Sequence, residues 1–208
     1  MVRKMIVMMM VLAIGLLVGC GGGGGGPALI TGQVLSDQRN DGDITSTGII
    51  TAAAANRNVL FGVSPGTEYR AFLDFPLNGT NGGSVIPVDA RVASADLTVF
   101  VNSINVAAAI PTLLDLVAYS STTGPVLNDY NSATLTPTSF RSLTFLQSTD
   151  VGNFVRIDVT PLVQDALVQG VSHVQFRFLY DFVANPNGIV ELADGAADKA
   201  PLLTITYQ

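Results

Sequence analysis

The sequence predicts an all-β protein, an antiparallel two-sheet β-sandwich of jelly-roll type with one short helix at about residues 161–169. Three observations lead to this prediction. Apolar and polar residues alternate in several segments, as in strands that bury one face. Turn-forming clusters, residues 40–43, 78–84 and 185–188, lie between such segments. The chain is 48% hydrophobic and 12% charged, a composition that excludes intrinsic disorder.

The clearest strand is residues 69–75, where Tyr, Ala, Leu and Phe share one face and Arg70 and Asp74 lie on the other. The same alternation marks four further segments: residues 96–101, 155–159, 174–180 and 203–207. Shorter apolar segments add the strand candidates 29–35, 49–53, 59–63, 113–119, 143–146 and 189–192. About ten such strands fill two packed antiparallel sheets. A Greek-key jelly roll accommodates that number, and an immunoglobulin-type sandwich is the alternative.

Residues 160–170 depart from the alternation and predict the helix. Thr160 is placed to cap its start, Pro161 suits the first helical position, and Gly170 suits the end. The apolar side chains share one helical face: Leu162, Val163, Ala166 and Leu167. We therefore expect a helix of about two to three turns that closes one end of the sandwich.

The first twenty residues are typical of an export signal. Arg3 and Lys4 precede an apolar run of about 13 residues, too short to cross a bilayer core of about 30 Å but suited to a secretory signal. The run ends in Leu17-Val18-Gly19-Cys20, which resembles the lipobox of bacterial lipoproteins. The resemblance implies cleavage after Gly19 and acylation of Cys20. An ordinary signal peptide with an incidental Cys is the alternative.

The predicted organisation is a signal peptide over residues 1–19, a lipidated Cys and glycine-rich tether over 20–28, and one β-sandwich domain over 29–208. The tether holds six consecutive glycines, which span about 20 Å at most, so the domain is expected close to the membrane lipid. The absence of Asp after Cys20 favours the outer over the inner membrane of a bacterial cell envelope.

Three blocks of the body carry a family resemblance. They are residues 69–75, where an Arg precedes a strand ending in Phe, residues 92–101, and residues 157–164 taken with the closing strand 201–207. Together they resemble the DNRLRE domain, a β-sandwich module related to carbohydrate-binding modules. The resemblance implies non-catalytic binding or surface display, often of polysaccharide. Many relatives carry Trp where this chain has Ala166 or Leu167, so no binding residue is carried over.

The residues with catalytic chemistry are few. His173 is the sole histidine. It opens a strand on which it alternates with Gln175 and Arg177, so its side chain is predicted to face solvent with theirs. No nucleophile elbow, phosphate loop or dinucleotide fingerprint is present. We expect no enzyme and no catalytic residue; a hydrolase with distant paired carboxylates is a remote alternative. The net charge of -6 argues against nucleic acid as a partner.

Two acidic loops are the candidates for a metal. One Cys and one His cannot build a zinc site. The loops hold Asp37, Asp41 and Asp43, and Glu191, Asp194 and Asp198, and oxygen-rich loops of this kind bind Ca²⁺. The alternative, acids that stabilise solvated turns, is the one we favour. We expect no cofactor beyond at most one structural Ca²⁺.

The aromatic residues bear on sugar binding, because sugars stack on exposed aromatic rings. The chain has no Trp. Tyr119 and Tyr130 are the ligand-binding candidates, with Phe140 nearby in sequence, and core or loop packing is their alternative role. The sequence thus predicts an envelope lipoprotein whose partners are membrane lipid, through Cys20, and polysaccharide. The alternative is an assembly lipoprotein that pairs with another envelope protein, suggested by the polar loop 120–139.

Overall fold

The computed structural model describes residues 27–106, 109–142, 146–180, 187–195 and 198–208. The signal peptide, Cys20 and the glycine run lie outside these described residues, as does most of the strand candidate 143–146. Twelve strands form in the described part of the chain, and each strand pair is antiparallel. The predicted all-β class is confirmed. Within the described ranges, neither α-helix has the length and apolar character needed to cross a bilayer.

The strands lie in the segments where apolar and polar residues alternate, and the longer helix lies in the segment that departs from that alternation. The strands are β1 (Ile30–Leu35), β2 (Gly42–Thr45), β3 (Ile50–Ala52), β4 (Asn58–Ser64), β5 (Thr67–Pro76), β6 (Val92–Ile104), β7 (Thr112–Val117), β8 (Ser139–Ser142), β9 (Phe154–Asp158), β10 (His173–Tyr180), β11 (Gly188–Ala193) and β12 (Leu202–Tyr207). The helices are α1 (Ala53–Asn56) and α2 (Thr160–Val168), and two short 3-10 turns cover Leu127–Tyr130 and Ser148–Asp150.

The strands form one curled sheet in the order β1-β12-β6-β11-β4-β5-β10-β7-β8, with β9 added to β6 and the β2–β3 hairpin added to β5. The long strand β6 is the corner. Its residues 92–98 pair with β12, and its residues 101–104 pair with β11. The two halves of the sheet therefore face each other as the layers of a sandwich-like fold.

One apolar core lies between the two layers. Leu97 and Leu203 from the first layer share a cluster with Phe75 and Phe176 from the second, whose rings lie 5.8 Å apart in an edge-to-face arrangement. The apolar face of α2 joins the same cluster, which confirms the expected placement of the helix against the sandwich.

The start of α2 differs from its predicted capping. Thr160 is the first helical residue and no side chain caps the helix from the preceding position. Instead, the Thr160 hydroxyl accepts a hydrogen bond from the Ala95 amide at 2.9 Å, and Asp158 accepts one from the Thr160 amide at 2.9 Å. Thr160 therefore fastens the helix to β6 rather than closing its end.

The outward face of β10 was predicted wrongly. Gln175 and Arg177 are buried, and Arg177 is 0% exposed. The segment between β7 and β8 covers this face, because Tyr119 and Leu135 from that segment form a second apolar cluster with Phe72 of β5. The alternation of apolar and polar residues shows that the two faces of a strand differ. It does not show whether a loop covers the polar face and buries it.

The predicted turn at residues 40–43 is in part a strand. β2 begins at Gly42 and pairs with both β3 and β5. A Cβ atom at Gly42 would lie 2.6 Å from the Thr51 carbonyl oxygen, so the glycine allows β3 to approach closely. The other two polar residues of the predicted turn, Asn40 and Asp41, lie against Asp74 near the end of β5.

Candidate functional site

A buried group of polar side chains lies where the chain leaves β1, β5 and β11. We call it the polar cluster; its members are Ser36, Asn40, Asp41, Asp74, His173 and Asp194. Its backbone is fixed by two hydrogen bonds to β5 and β12: the Asp37 amide donates to the Asp74 carbonyl at 2.7 Å and the Ser36 amide to the Pro201 carbonyl at 3.0 Å. The chain segment after β1 is therefore held directly over the end of β5.

Asp74 is the centre of the polar cluster. Its Oδ2 accepts a hydrogen bond from Asn40 Nδ2 at 3.0 Å, and its two carboxylate oxygens lie 3.0 and 3.1 Å from His173 Nδ1. Burial raises the pKa of Asp74, while His173 and Asn40 oppose that rise. Because an ionised carboxylate only accepts hydrogen bonds, Nδ1 of His173 is the donor in this pair, and Nε2 is left free of Asp74.

Asp41 packs against Asp74 through the backbone. Its Oδ1 accepts a hydrogen bond from the Asp74 amide at 2.6 Å, and its carboxyl group also interacts with the side chains of Ser36 and Asp194. Burial, followed by the charge of Asp194, raises the pKa of Asp41 well above its ordinary value. The carboxyl groups of Asp41 and Asp194 therefore lie close together, although they are far apart in the sequence. Asp41 is only 1% exposed, so almost no solvent reaches it.

Asp194 is the second carboxyl group of the pair that it forms with Asp41. Its Oδ1 accepts a hydrogen bond from the Ser36 hydroxyl at 2.9 Å. Burial raises the pKa of Asp194 to about 6, although hydrogen bonds with Ser36 and Asp41 oppose the rise. The amides of Asp194 and Gly195 both donate to the Arg57 carbonyl at 2.9 Å. A Cβ atom on Gly195 would overlap the Arg57 side chain, so glycine is required where the chain holds Asp194 in place.

The two predicted acidic loops thus contribute one residue each to the polar cluster. Two other acids of these loops lie apart from the polar cluster. The buried Asp43 accepts from the Leu60 amide at 3.3 Å, and the half-buried Glu191 accepts from Asn58 at 2.5 Å and Ser103 at 2.9 Å. Asp198 is exposed. In the described part of the chain, no three His, Cys, Asp or Glu side chains are grouped to hold a metal ion, so the expected Ca²⁺ stays a prediction.

A groove opens on the surface beside His173. We call it the His173 groove; it has a volume of about 320 Å³ and its polar lining comes from Tyr119, Ser121, Thr138, Gln169, His173 and Gln175. Gln175 is fixed there, because its Oε1 accepts a hydrogen bond from the Tyr119 amide at 2.8 Å. Two of the lining side chains, His173 and Gln175, are therefore held in position by buried partners.

A second opening, which we call the acidic cleft, reaches the polar cluster from the other side. It has a volume of about 480 Å³, and its lining includes Ser36, Asp37, Arg39, Asn81 and Asp194. Asp194 and His173 therefore each lie at a surface opening, with Asp41 and Asp74 buried between them.

The two predicted tyrosines do not present free rings. Tyr119 is 8% exposed and its ring packs edge-on against Phe72 at 5.6 Å, so a sugar cannot stack on it in this arrangement. Tyr130 is half-buried; its hydroxyl donates to Glu68 Oε2 at 2.8 Å and the Arg70 guanidinium lies 4.3 Å from its ring. Phe140, by contrast, is 68% exposed.

The sequence analysis missed the roles of Asp74 and His173 in this site. The available signal was an acidic residue between two phenylalanines in the most apolar strand, at Phe72-Leu73-Asp74-Phe75. A carboxylate at such a position is costly to bury without hydrogen bonds. That signal indicates that a polar partner exists, but not which residue supplies it.

Comparison with known proteins does not place the chain in a family. No protein-family model matches it, and no curated protein matches its sequence. The likeness to the DNRLRE domain and to the lipobox therefore stays a prediction that rests on the residues quoted above.

Proposed function

We propose that the chain is a lipid-anchored, non-catalytic module of a bacterial cell envelope that binds polysaccharide in the His173 groove. The observation that carries the proposal is the groove itself, with its volume of about 320 Å³ and two polar side chains, those of His173 and Gln175, held by buried partners. Ligand sites in proteins begin at about this volume and place a few oriented polar groups in a largely preformed depression. One sugar residue of a longer chain fits these conditions.

The chemistry of the groove suits hydroxyl groups. Asp74 fixes the His173 ring through Nδ1, so Nε2 is the ring nitrogen left to form a hydrogen bond with a sugar hydroxyl. Phe140 follows Thr138 of the groove lining by two residues and is exposed. Its ring supplies the apolar face on which a sugar stacks. A His bonded to a buried carboxylate can act as a general base, but in the described part of the chain no hydroxyl or thiol nucleophile is hydrogen-bonded to His173, so we propose binding and not hydrolysis.

Membrane attachment is the other half of the proposal, and it rests on the lipobox at Cys20. We propose that the acylated Cys20 keeps the domain at the outer membrane, since several acyl chains anchor stably where one does not. In Cys20→Ser, the protein is expected in the soluble fraction and without the mass of the acyl groups. Retention of that variant in the membrane fraction with an unchanged mass would refute the anchor without bearing on the groove.

The groove is tested by titration calorimetry of the mature chain with polysaccharide purified from the envelope. Phe140→Ser is expected to weaken binding about tenfold, because one stacked ring contributes about 1 kcal/mol or more. Phe154→Ser is the matched control, since Phe154 is also exposed, at 55%, but lies on β9 in the other layer. No binding by the unmodified chain, or an equal loss in both variants, would refute the proposal.

A second candidate function, pairing with another envelope protein, is favoured by one apolar feature. Val88 and Val168 are both exposed and line a depression of about 610 Å³ between α2 and the segment before β6. Exposed apolar patches on soluble domains commonly mark protein interfaces. A photo-crosslinker at Val168 that captures an envelope protein in cells, with none captured by the same crosslinker at the exposed Arg39, would favour this function.

A further inference from the structure

The carboxyl groups of Asp41 and Asp194 are buried together without a compensating charge. They are 1% and 3% exposed, and neither forms an ion pair with Lys or Arg in the described part of the chain. Asp115, which is buried to the same degree, is paired with the Arg177 guanidinium. Because unpaired buried charges are costly, the Asp41–Asp194 pair needs another way to lower its charge.

The hydrogen bonds at this pair leave one donor missing. The Asp74 amide donates to Asp41 Oδ1 at 2.6 Å, and the Ser36 hydroxyl uses its single hydrogen to donate to Asp194 Oδ1 at 2.9 Å. Among the described residues, no amide or guanidinium group donates to Asp41 Oδ2 or to Asp194 Oδ2. The two carboxyl groups are nevertheless close enough to hydrogen-bond each other. Since an ionised carboxylate only accepts hydrogen bonds, that bond requires a proton.

We infer that Asp41 and Asp194 share one proton at neutral pH, and that this proton fastens the segment after β1 to the segment after β11. Two carboxyl groups in contact retain a proton because both cannot ionise side by side. β1 and β11 belong to opposite layers of the sheet. The shared proton therefore joins the edge strand of one layer to a strand end of the other, and its loss at higher pH loosens this junction.

The acids around the pair act in the same direction. Burial, then the charges of Asp194 and Asp74, raise the pKa of Asp41 well above its ordinary value. Burial, then the charge of Asp37, raises the pKa of Asp194 to about 6. Because the two groups are coupled, the proton belongs to the pair rather than to one residue. At pH 7 the pair therefore carries one proton and one negative charge.

The other titratable groups on the surrounding segments do not neutralise that charge. They are His173, Arg39, Arg57, Lys199 and Tyr119. His173 is bonded to Asp74, and Lys199 lies 4.2 Å from the Phe100 ring. The two arginines are exposed, and within the described ranges neither forms an ion pair with Asp41 or Asp194. Burial, followed by the neighbouring acids, raises the pKa of Tyr119 well above its ordinary value, so its phenol is uncharged at pH 7.

The shared proton makes stability depend on pH in a defined direction. In the unfolded chain both carboxyl groups ionise near pH 4, while the folded pair keeps its last proton above neutrality. The contribution of the pair is therefore complete below about pH 4 and is lost as the pH rises through the pKa values of the folded pair. Between pH 7 and pH 8, uptake of one proton on folding lowers the equilibrium constant for folding severalfold, up to about tenfold.

The test is urea unfolding of the mature chain at pH 7 and pH 8, compared with Asp41→Asn. The introduced amide donates to Asp194 as the shared proton does, and its oxygen still accepts from the Asp74 amide. We therefore expect Asp41→Asn to lose the severalfold dependence on pH and to be more stable than the unmodified chain at pH 8. Asp43→Asn is the matched control: Asp43 is also buried, but burial raises its pKa only to about 6, so this variant keeps the dependence.

Infrared spectroscopy of the unmodified chain tests the proton without relying on a variant that folds. At pH 7.5 the folded chain should show the carbonyl band of a protonated carboxyl group, and the band should vanish in urea at the same pH, because the unfolded chain ionises both acids. In folded Asp41→Asn the band should be absent. A folded unmodified chain without this band would overturn the inference, as would an equal pH dependence of the unmodified chain and Asp41→Asn.

Discussion

Arg177 of β10 and Asp115 of β7 form an ion pair that is closed off from solvent on every side. Asp115 Oδ2 accepts from Arg177 Nη2 at 2.5 Å and from Nε at 3.1 Å. The remaining guanidinium hydrogens are bonded to the loop that covers them: the Asp129 carbonyl at 3.1 Å, the Leu135 carbonyl at 3.2 Å and the Ser132 hydroxyl at 3.1 Å. One side chain therefore attaches the segment between β7 and β8 to the sheet.

We predict that Arg177→Met is among the most damaging single substitutions in this domain. It leaves Asp115 as a buried charge without a partner, and breaking such a pair costs about 3–5 kcal/mol. Urea unfolding of the two proteins measures the difference. Arg156→Met is the control, because Arg156 pairs with Asp96 at the surface and should change stability little. Equal effects of the two substitutions would contradict this account.

The added change Asp115→Leu in the Arg177→Met background tests the same relationship from the other side. The double variant removes the buried charge together with its partner, so we expect it to recover part of the lost stability. The loop will still lack its anchor, and limited proteolysis should cut within residues 120–136 faster than in the unmodified chain. A double variant less stable than Arg177→Met would show that Asp115 has another stabilising partner.

Strand positions in this protein were predictable, while the burial of their polar faces was not. The alternation around Phe75 and Phe176 is a local property of the chain and led to β5 and β10. Whether Arg177 meets solvent depends on the loop between β7 and β8, and whether Asp74 does depends on the segment after β1. Both segments reach these residues only in the folded protein. The pairing of Asp41 with Asp194 is similar, since the two acidic loops were recognised but their proximity depends on the path of the whole sheet.

Gly62 and Gly66 lie in the β4–β5 hairpin, and they need glycine for different reasons: Gly62 for backbone conformation and close packing, Gly66 for backbone conformation alone. Both have positive φ, 120° and 81°. A Cβ atom at Gly62 would overlap the Gly188 carbonyl on β11, while one at Gly66 meets nothing within 4 Å. We predict that Gly66→Ala costs about 1 kcal/mol, from backbone conformation alone. Gly62→Ala should cost at least about 2 kcal/mol more, from the overlap with β11. Similar unfolding midpoints for the two variants would contradict this prediction.

The phenol of Tyr130 is expected to lose its proton at a higher pH than an ordinary tyrosine. Burial, then the hydrogen bond to Glu68 and its charge, raise the pKa of Tyr130 from 10.0 to about 12. Because the folded state keeps the proton that the unfolded state releases, this contribution to stability is complete below pH 10 and is lost as the pH rises from about 10 to 12. The difference in absorbance at 295 nm between the unmodified chain and Tyr130→Phe isolates this group. A difference curve centred near pH 10 would contradict the prediction.

Asn40 joins three parts of the polar cluster through one amide. Its Nδ2 donates to Asp37 Oδ2 at 3.3 Å, to Asp74 Oδ2 at 3.0 Å and to the Ser121 carbonyl at 2.7 Å. Asn40→Ala removes these bonds and is expected to cost about 1–3 kcal/mol, the range for leaving buried acceptors unsatisfied.

Asn40→Asp tests the effect of charge at this position, because the Asp and Asn side chains have nearly the same shape. At pH 7 it replaces the donor with a carboxylate that repels Asp74, so the loss should exceed that of Asn40→Ala. Lowering the pH protonates the introduced carboxyl and restores a donor, so the two variants should converge in stability at pH 5. Urea unfolding at both pH values measures this. If Asn40→Asp is no less stable than Asn40→Ala at pH 7, Asp74 is not ionised in the folded protein, and Nδ1 of His173 need not be the donor in their hydrogen bond.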